Sequence, residues 1–574
     1  MRSATAQYPL HIQVTLLALA VTLGAGNAGA QPAVQRDNPN APAELLRPPF
    51  LPDAAPGFQL PPLIVHGSGR PGPPGAGEIL RTLAIRGNTA IATGELLEVA
   101  RPWLGQPANA ADLEALRVAL TRHYVERGYV NSGARLDAAG VRAGELGVEI
   151  VEGRLSSLRF SGLEGLDERY LIARLWPDAD RPLQLGELRE RYQLLLDDPL
   201  IRRMNARLLP DEGPGTAALD VAVERAQPWS FAVRWNNHRP ASVGEHALGV
   251  EAGLRNLTGR GDALRLSVQP DEDARAFARI GFGWSLPVFY PATQLTVQMD
   301  DSDSSVVEEP LAAADVKSRL SSREVTLGQV LAENLRHRAA AGVTWLARRS
   351  QTWLGGERFP FVAGEPDEGL RTRSLRLWQE YTYRSETEVV ALRSTFAQTR
   401  NNLQPVTVDT APEVVGRNAR FWLGQAQFAR RLGDSGLQAV ARATVQHTRD
   451  RLVTLDGLSI GGATTVRGWR ENQLIRDRGA ILNLELDIPV LRSGAGDRSL
   501  HLLPFVDYGR GRNLGQSADA IGSVGLAMRW RSGPWAADAA WGWRRASSAV
   551  NKARAGHALQ DHGIHLQVSY GIGR

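Results

Sequence analysis

Two short strings hold the residues best suited to chemistry in this chain, and the chemistry they suit is ion pairing. Val466-Arg467-Gly468-Trp469 sets a guanidinium beside a glycine, and Phe505-Val506-Asp507-Tyr508-Gly509 sets a carboxylate in an alternating run. Read as a strand, that run places Leu502, Pro504, Val506 and Tyr508 on one face and Leu503, Phe505, Asp507 and Gly509 on the other. If the first face meets lipid, Asp507 points into a lumen. A lone carboxylate there is costly, and Arg467 would satisfy it bidentately. Bond-making chemistry finds no comparable support. The 11 histidines form no H-E-x-x-H, G-x-S-x-G is absent, and no nucleophile stands beside a base at a recognised spacing. The expectation is a protein that is not an enzyme and uses no cofactor and no metal. Residues 24–29 match G-x-G-x-x-G but lie in a leader-like segment, and Arg260-Gly261-Asp262 spells an adhesion tripeptide inside an expected turn.

The elements that would position this pair follow from the bulk properties. At 574 residues the chain exceeds one compact core, so several domains are expected. Beyond the N-terminus no apolar run approaches twenty residues, and the mean hydropathy is -0.24, which argues against a bundle of membrane helices. A transmembrane β-barrel averages to such a value, because lipid-facing and lumen-facing residues alternate. Residues 1–30 read as a secretory signal: Arg2, an apolar stretch over 14–23, and Ala28-Gly29-Ala30 as a cleavage site. The lack of cysteine removes lipoprotein anchors, disulfides and cysteine-ligated metals. A net charge of +5 raises nucleic acid as a partner, but the arginines are dispersed without a basic block, so no nucleic-acid binding is expected. Fourteen tryptophans suit the aromatic girdles of a barrel.

Residues 31–77 are rich in proline, glycine and alanine and read as an extended linker. Two similar units follow, 78–153 and 154–226, each ordered strand, helix, helix, strand, strand. In the first, strands are expected over 79–87, 130–136 and 146–151 and helices over 92–104 and 111–127, with Leu113, Leu116, Leu120 and Tyr124 at helical spacing. In the second, strands fall at 155–160, 201–209 and 217–223 and helices at 167–175 and 185–196. From Trp229 onward strict alternation takes over, as in Leu482, Leu484, Leu486 and Ile488 against Asn483, Glu485 and Asp487. About sixteen such segments, divided by turn-like clusters, run to the end. A soluble sandwich rarely needs so many consecutive strands. The fold class expected is therefore a β-barrel membrane protein of about 16 antiparallel strands over 227–574, preceded by two α+β domains.

Taken together, these features resemble the two-partner secretion transporters, the haemolysin-activator class of the outer-membrane protein 85 superfamily. The two units look like paired POTRA domains, and Asn256-Leu257-Thr258-Gly259-Arg260-Gly261-Asp262 resembles the family's turn after its second barrel strand. Val466-Arg467-Gly468-Trp469 is similar to the family's V-R-G-Y signature with tryptophan for tyrosine, and Phe505 to Gly509 resembles its F-x-D-x-G wall motif. The resemblance implies a sixteen-stranded barrel whose sixth extracellular loop, about 452–478, folds into the lumen. Arg467 and Asp507 would form a channel lock, with Val466, Gly468 and Trp469 as loop motif and Phe505 and Gly509 as wall motif. It further implies an outer-membrane protein of a Gram-negative bacterium, with periplasmic POTRA domains that recognise a large secreted exoprotein and pass it unfolded through the barrel, the type V route. Expected partners are that exoprotein, outer-membrane lipid and the barrel-assembly machinery. Strands 130–136 and 201–209 are candidate edges for capturing the exoprotein by strand addition. The alternatives are an assembly or insertion factor of the same superfamily, and a passive channel or adhesin. Two departures from the family pattern stand out: the sequence ends Gly571-Ile572-Gly573-Arg574 rather than on an aromatic residue, with Tyr570 nearest, and the proline-rich region offers little for a plug helix.

Overall fold

The computed structural model describes residues 45, 47, 49–51, 58–59, 77–176, 178–270, 277–289, 292–308, 311–405, 415–493, 497–546 and 557–573. The signal sequence and most of the proline-rich segment, including any plug helix, lie outside the described residues.

In the first small domain, Thr82–Arg86 pairs parallel with Glu145–Val151, which pairs antiparallel with Gly133–Leu136. Helices Thr93–Ala100 and Ala110–Glu126 cover one face of this sheet. The longer helix begins where Asn109 accepts the backbone N–H groups of Ala111 (2.8 Å) and Asp112 (3.0 Å), while Asp112 accepts that of Asn109. Such a reciprocal cap is worth about 1 kcal/mol. Its apolar stripe, Leu116, Leu120 and Tyr124, is fully buried against Leu146 and Val148. Glu152 ties the domain shut by accepting hydrogen bonds from Thr89 N (2.7 Å), Ala90 N (2.7 Å) and Tyr124 Oη (3.0 Å). Burial alone would raise the Glu152 carboxyl, yet these donors hold it below the usual carboxylate range.

The second domain repeats the plan, with helices Glu168–Leu175 and Leu185–Leu196 on a sheet of Arg154–Ser161, Thr216–Arg225 and Ile201–Pro210. One expectation needs correction here. Residues 201–209 were a candidate free edge, but Ile201–Pro210 has neighbours on both sides: Thr216–Arg225, and Phe58–Gln59 in parallel through Phe58 opposite Ala206. The linker itself occupies part of that edge. The other candidate, now Gly133–Leu136, has one strand neighbour, and on its outer side Thr121 Oγ1 accepts the N–H of Ala134 (3.1 Å).

Sixteen antiparallel strands then close into a barrel. In order they are Trp229–Asn236, Ala247–Arg255, Ala263–Gln269, Phe277–Phe289, Thr293–Ser305, Lys317–Glu333, His337–Leu354, Leu370–Arg384, Glu388–Asn401, Asn418–Arg431, Gln438–Thr448, Arg478–Arg492, Arg498–Arg512, Asp519–Ser532, Trp535–Ala546 and Ile564–Ile572. Strand 16 pairs with strand 1 through Phe231 opposite Ile572, which completes the ring and leaves no open edge. Tyr570 packs edge-on against Trp535 at 4.9 Å. Outward positions such as Leu375, Leu377, Phe396, Val506 and Trp543 are exposed. Inward positions such as Thr395, Thr399, Asn401, Gln425 and Gln427 are polar and buried.

The turn over residues 256–262 couples the barrel to the second domain. Asn256, Gly259 and Gly261 have φ of 60°, 82° and 81°, so the segment coils tightly. Asp262, wholly buried, accepts from Thr258 N, Thr258 Oγ1 and Trp284 Nε1. Gly259 O accepts the N–H of Asp167 (2.8 Å), and Gly261 lies so close to Tyr170 that an added Cβ would stand 2.3 Å from its ring. The adhesion-like tripeptide is thus a docking turn for the second domain. Arg384 with Asp197 (2.7 Å) and Leu335 N with Glu190 (3.0 Å) extend the same contact.

Candidate functional site

Alternation in strand 13 turns Leu503, Phe505, Asp507 and Gly509 inward, all buried, while Val506 and Tyr508 remain about half exposed on the outer wall. Strand 12 supplies the neighbouring lumen residues: Asn483 lies opposite Asp507 and Glu485 opposite Phe505. The segment between strands 11 and 12 folds back into the barrel as a hairpin of Leu458–Ile460 with Leu474–Arg476, and carries Arg467 to the wall.

There Arg467 donates from Nε to Asp507 Oδ2 (2.8 Å) and from Nη2 to Asp507 Oδ1 (2.9 Å), a bidentate pair. Its backbone N–H adds a third bond to Asp507 Oδ2 (3.0 Å), and Nη1 donates to Glu485 Oε2 at 2.5 Å. The guanidinium carbon sits 3.7 Å above the Phe505 ring centroid, so the aromatic wall residue stacks on the cation. Asn483 Nδ2 donates to Asp507 Oδ1 (2.8 Å) and to Thr465 O. Arg467 is 8% exposed and Asp507 1%, so the pair is shielded from competing water.

The remaining motif residues fit this contact sterically. Gly468 has φ of 88°, and a Cβ there would lie 2.7 Å from Gly542 O. At Gly509 a Cβ would come within 2.2 Å of Ile460 Cγ2 and 3.0 Å of Val466 Cγ2. Val466 and Trp469 are buried with Leu458, Ile460 and Leu474 against Ile481 and Ile521 of the wall. Trp469 Nε1 donates to Gly522 O (2.9 Å), which satisfies the one polar atom of that ring.

Reasoning from sequence alone missed Glu485 as a partner of Arg467 and Asn483 as a partner of Asp507, although both lie on the polar face of the alternating run 482–488. A second anchor went unread entirely. Arg470 bridges Asp561 (2.5 Å) and Glu308 (2.8 Å), two residues from other extracellular loops. Beside it, buried Gln560 accepts the N–H of Glu471 (2.9 Å) and donates to Asn237 O and Arg239 O, while Glu245 accepts from Leu559 N and Gln560 N. Single charges in irregular loops carry no periodic signal. Among the described residues no cluster of histidine and carboxylate could hold a metal ion. The arrangement holds a loop in the lumen through a buried ion pair.

Comparisons with known proteins identify the family and the fold. The family model described as "Haemolysin secretion/activation protein ShlB/FhaC/HecB" matches residues 215–531, more than half of the chain, and "POTRA domain, ShlB-type" matches 79–153. The outer membrane transporter CdiB of Escherichia coli is 24% identical over 429 residues, covering 71% of this chain and 68% of that protein. The heme/hemopexin transporter protein HuxB of Haemophilus influenzae is 23% identical over 193 residues, or 33% of this chain and 34% of that one. In structure, CdiB from Escherichia coli superposes with a TM-score of 0.68 at 20% identity, covering 89% of this chain and 94% of that one. CdiB from Acinetobacter baumannii gives 0.58 at 15% identity, with 92% and 94% covered. The chain belongs to the ShlB/FhaC/HecB haemolysin secretion/activation family, the outer-membrane transporters of two-partner secretion, with its POTRA domains in the periplasm of a Gram-negative cell.

Proposed function

We propose that this transporter carries one large exoprotein, unfolded, from the periplasm to the cell surface through its own lumen, with the Arg467 loop as the lock on that passage. The observation that carries this reading is the buried contact of Arg467 with Asp507 and Glu485, made by a loop that no disulfide ties to the wall. Removing one partner of such a pair costs about 3 to 5 kcal/mol because the survivor is left buried and unpaired, so each member favours the loop at the wall only while the other is present. A polypeptide captured at the POTRA domains would offset that cost as it engages, so no periplasmic ATP is required. Capture proceeds by adding a strand of the exoprotein to a sheet edge, where backbone hydrogen bonds give affinity without demanding a fixed sequence. The lumen suits an extended chain because Gln425, Gln427, Thr399 and Asn401 offer uncharged donors and acceptors along the wall. Nothing in this cycle makes or breaks a covalent bond, and folding outside makes the movement directional. The test is removal of residues 79–224: the exoprotein should vanish from the medium while the barrel still conducts ions. Secretion that continues in cells lacking the whole chain would refute the reading.

A further inference from the structure

The outer wall carries arginines that the transport reading does not use. Above the aliphatic band, on the side away from the POTRA domains, three pairs of outward-facing arginines lie directly opposite each other in register: Arg349 with Arg371, Arg373 with Arg400, and Arg478 with Arg512. Like charges directly opposite on neighbouring strands destabilise a sheet unless an anion lies between them. On strands 5 and 6 this is solved internally, with Arg319 on Asp303 (2.6 Å) and Arg323 on Asp301 (2.7 Å). Glu368 partly serves the first pair, lying 3.3 Å from Arg371 and offering its carbonyl to Arg349. The second and third pairs have no carboxylate partner among the described residues, and Arg478 Nε is buried without a hydrogen bond. Arg420, also exposed and without a carboxylate partner among the described residues, lies on strand 10 next to this row, one position beyond the Phe421–Thr448 pair.

The distribution is one-sided in two senses. Strands 16, 1, 2, 3 and 4 carry only uncharged residues at their outward described positions, from Val568 and Trp235 to Val250, Val268 and Ile280. At the periplasmic rim, outward-facing Arg430 has Glu388 within 3.5 Å. Among the described residues the outward guanidinium groups without a carboxylate partner therefore gather at the end of the wall away from the POTRA domains, and Arg545 on strand 15, 4.5 Å from the Trp543 ring centroid, belongs to the same set.

We propose that this arc, over strands 7 to 15, is a binding site for the phosphate-bearing glycolipid of the outer leaflet. The chemistry matches: a guanidinium presents a planar fork to phosphate, two forks on adjacent strands span one doubly charged headgroup, and the stem lies along the acyl boundary. The neutral arc beside the strand 1 to strand 16 seam stays free of bound headgroups, so the lipid holds one wall rigid and leaves the other side of the barrel unclamped.

The test uses the full chain in nanodiscs, with native mass spectrometry counting bound bisphosphorylated lipid A against lipid A stripped of phosphate. Wild type should retain the phosphorylated form selectively, and R373S/R400S should lose retention by roughly five-fold per arginine. R430S, at the opposite rim, should match wild type. Added NaCl should release the bound lipid from wild type, a readout that needs no variant to fold. Equal retention of the two lipids, retention in R373S/R400S as high as in wild type, or insensitivity to salt would overturn the assignment. Displacement by millimolar inorganic phosphate would do so too, by showing an ordinary anion site.

Discussion

The proposed lock makes an asymmetric prediction about its own members. Asp507 accepts four hydrogen bonds, three from Arg467 and one from Asn483. Glu485 accepts one from Arg467 and has Arg442 at 3.8 Å on its other side. Replacing Arg467 by alanine therefore takes their shared cation from two buried carboxylates on adjacent strands, leaving Asp507 only Asn483 and Glu485 only the more distant Arg442, whereas Asp507→Ala leaves the arginine paired with Glu485, and Glu485→Ala leaves it paired with Asp507. The cost of Arg467→Ala should be about 3 to 5 kcal/mol, a shift in the loop equilibrium on the order of 10² to nearly 10⁴. Asp507→Ala should cost less, Glu485→Ala less again, and Arg467→Lys should fall between because it loses both the fork and the stacking on Phe505. Since the chain has no native cysteine, one probe reports on the loop alone. Ser459 is wholly buried in the loop stem, and cysteine is nearly isosteric with it. In Ser459→Cys, labelling by a membrane-impermeant maleimide should be slow, then accelerate in the order Glu485→Ala, Asp507→Ala, Arg467→Ala while heat-modifiable migration stays normal. Equal rates in all four backgrounds, or a faster rate in Glu485→Ala than in Arg467→Ala, would refute the reasoning.

Trp469→Ala empties a fully buried site in the loop and should cost about 3 to 5 kcal/mol locally, seen as protease cleavage within 449–477 of an otherwise intact barrel. Gly261→Val drives a side chain into the Tyr170 ring and should uncouple the second POTRA domain from the barrel; loss of cross-linking between the two, with each still folded, is the readout. The first POTRA domain should show an acid-side weakness. Because the folded-state Glu152 carboxyl titrates below its unfolded value, its stabilisation is present above the ordinary carboxylate range and is lost as pH falls through the lower folded value. Hydrogen exchange near Thr89 and Ala90 should therefore separate wild type from Glu152→Gln at neutral pH and converge in acid.

Much of the architecture was legible because it is periodic. A two-residue repeat turned Asp507 and Phe505 to the face opposite Val506, and a helical repeat marked Leu116, Leu120 and Tyr124 as one stripe; both faces are buried in the fold. The illegible parts are aperiodic or depend on register. That Glu485 meets the same guanidinium as Asp507 follows from strand 12 pairing with strand 13 at Asn483 opposite Asp507, which no single-strand pattern encodes. Residues 201–209 looked like a free edge because Phe58–Gln59, two residues inside a proline-rich stretch, have no strand signature of their own. Arg470, Gln560 and Glu245 meet only after three loops converge at the barrel mouth.

The central claim is that the exoprotein passes through the lumen only when the Arg467 loop leaves the wall. A Cβ at Gly509 lies 3.7 Å from Ile460 Cβ, within the range of a disulfide. Secretion by Ile460→Cys/Gly509→Cys, followed in the same cells oxidised and then reduced, tests the claim most directly. The account predicts arrest when the bond is formed and recovery when it is reduced; export at the same rate in both states would contradict it.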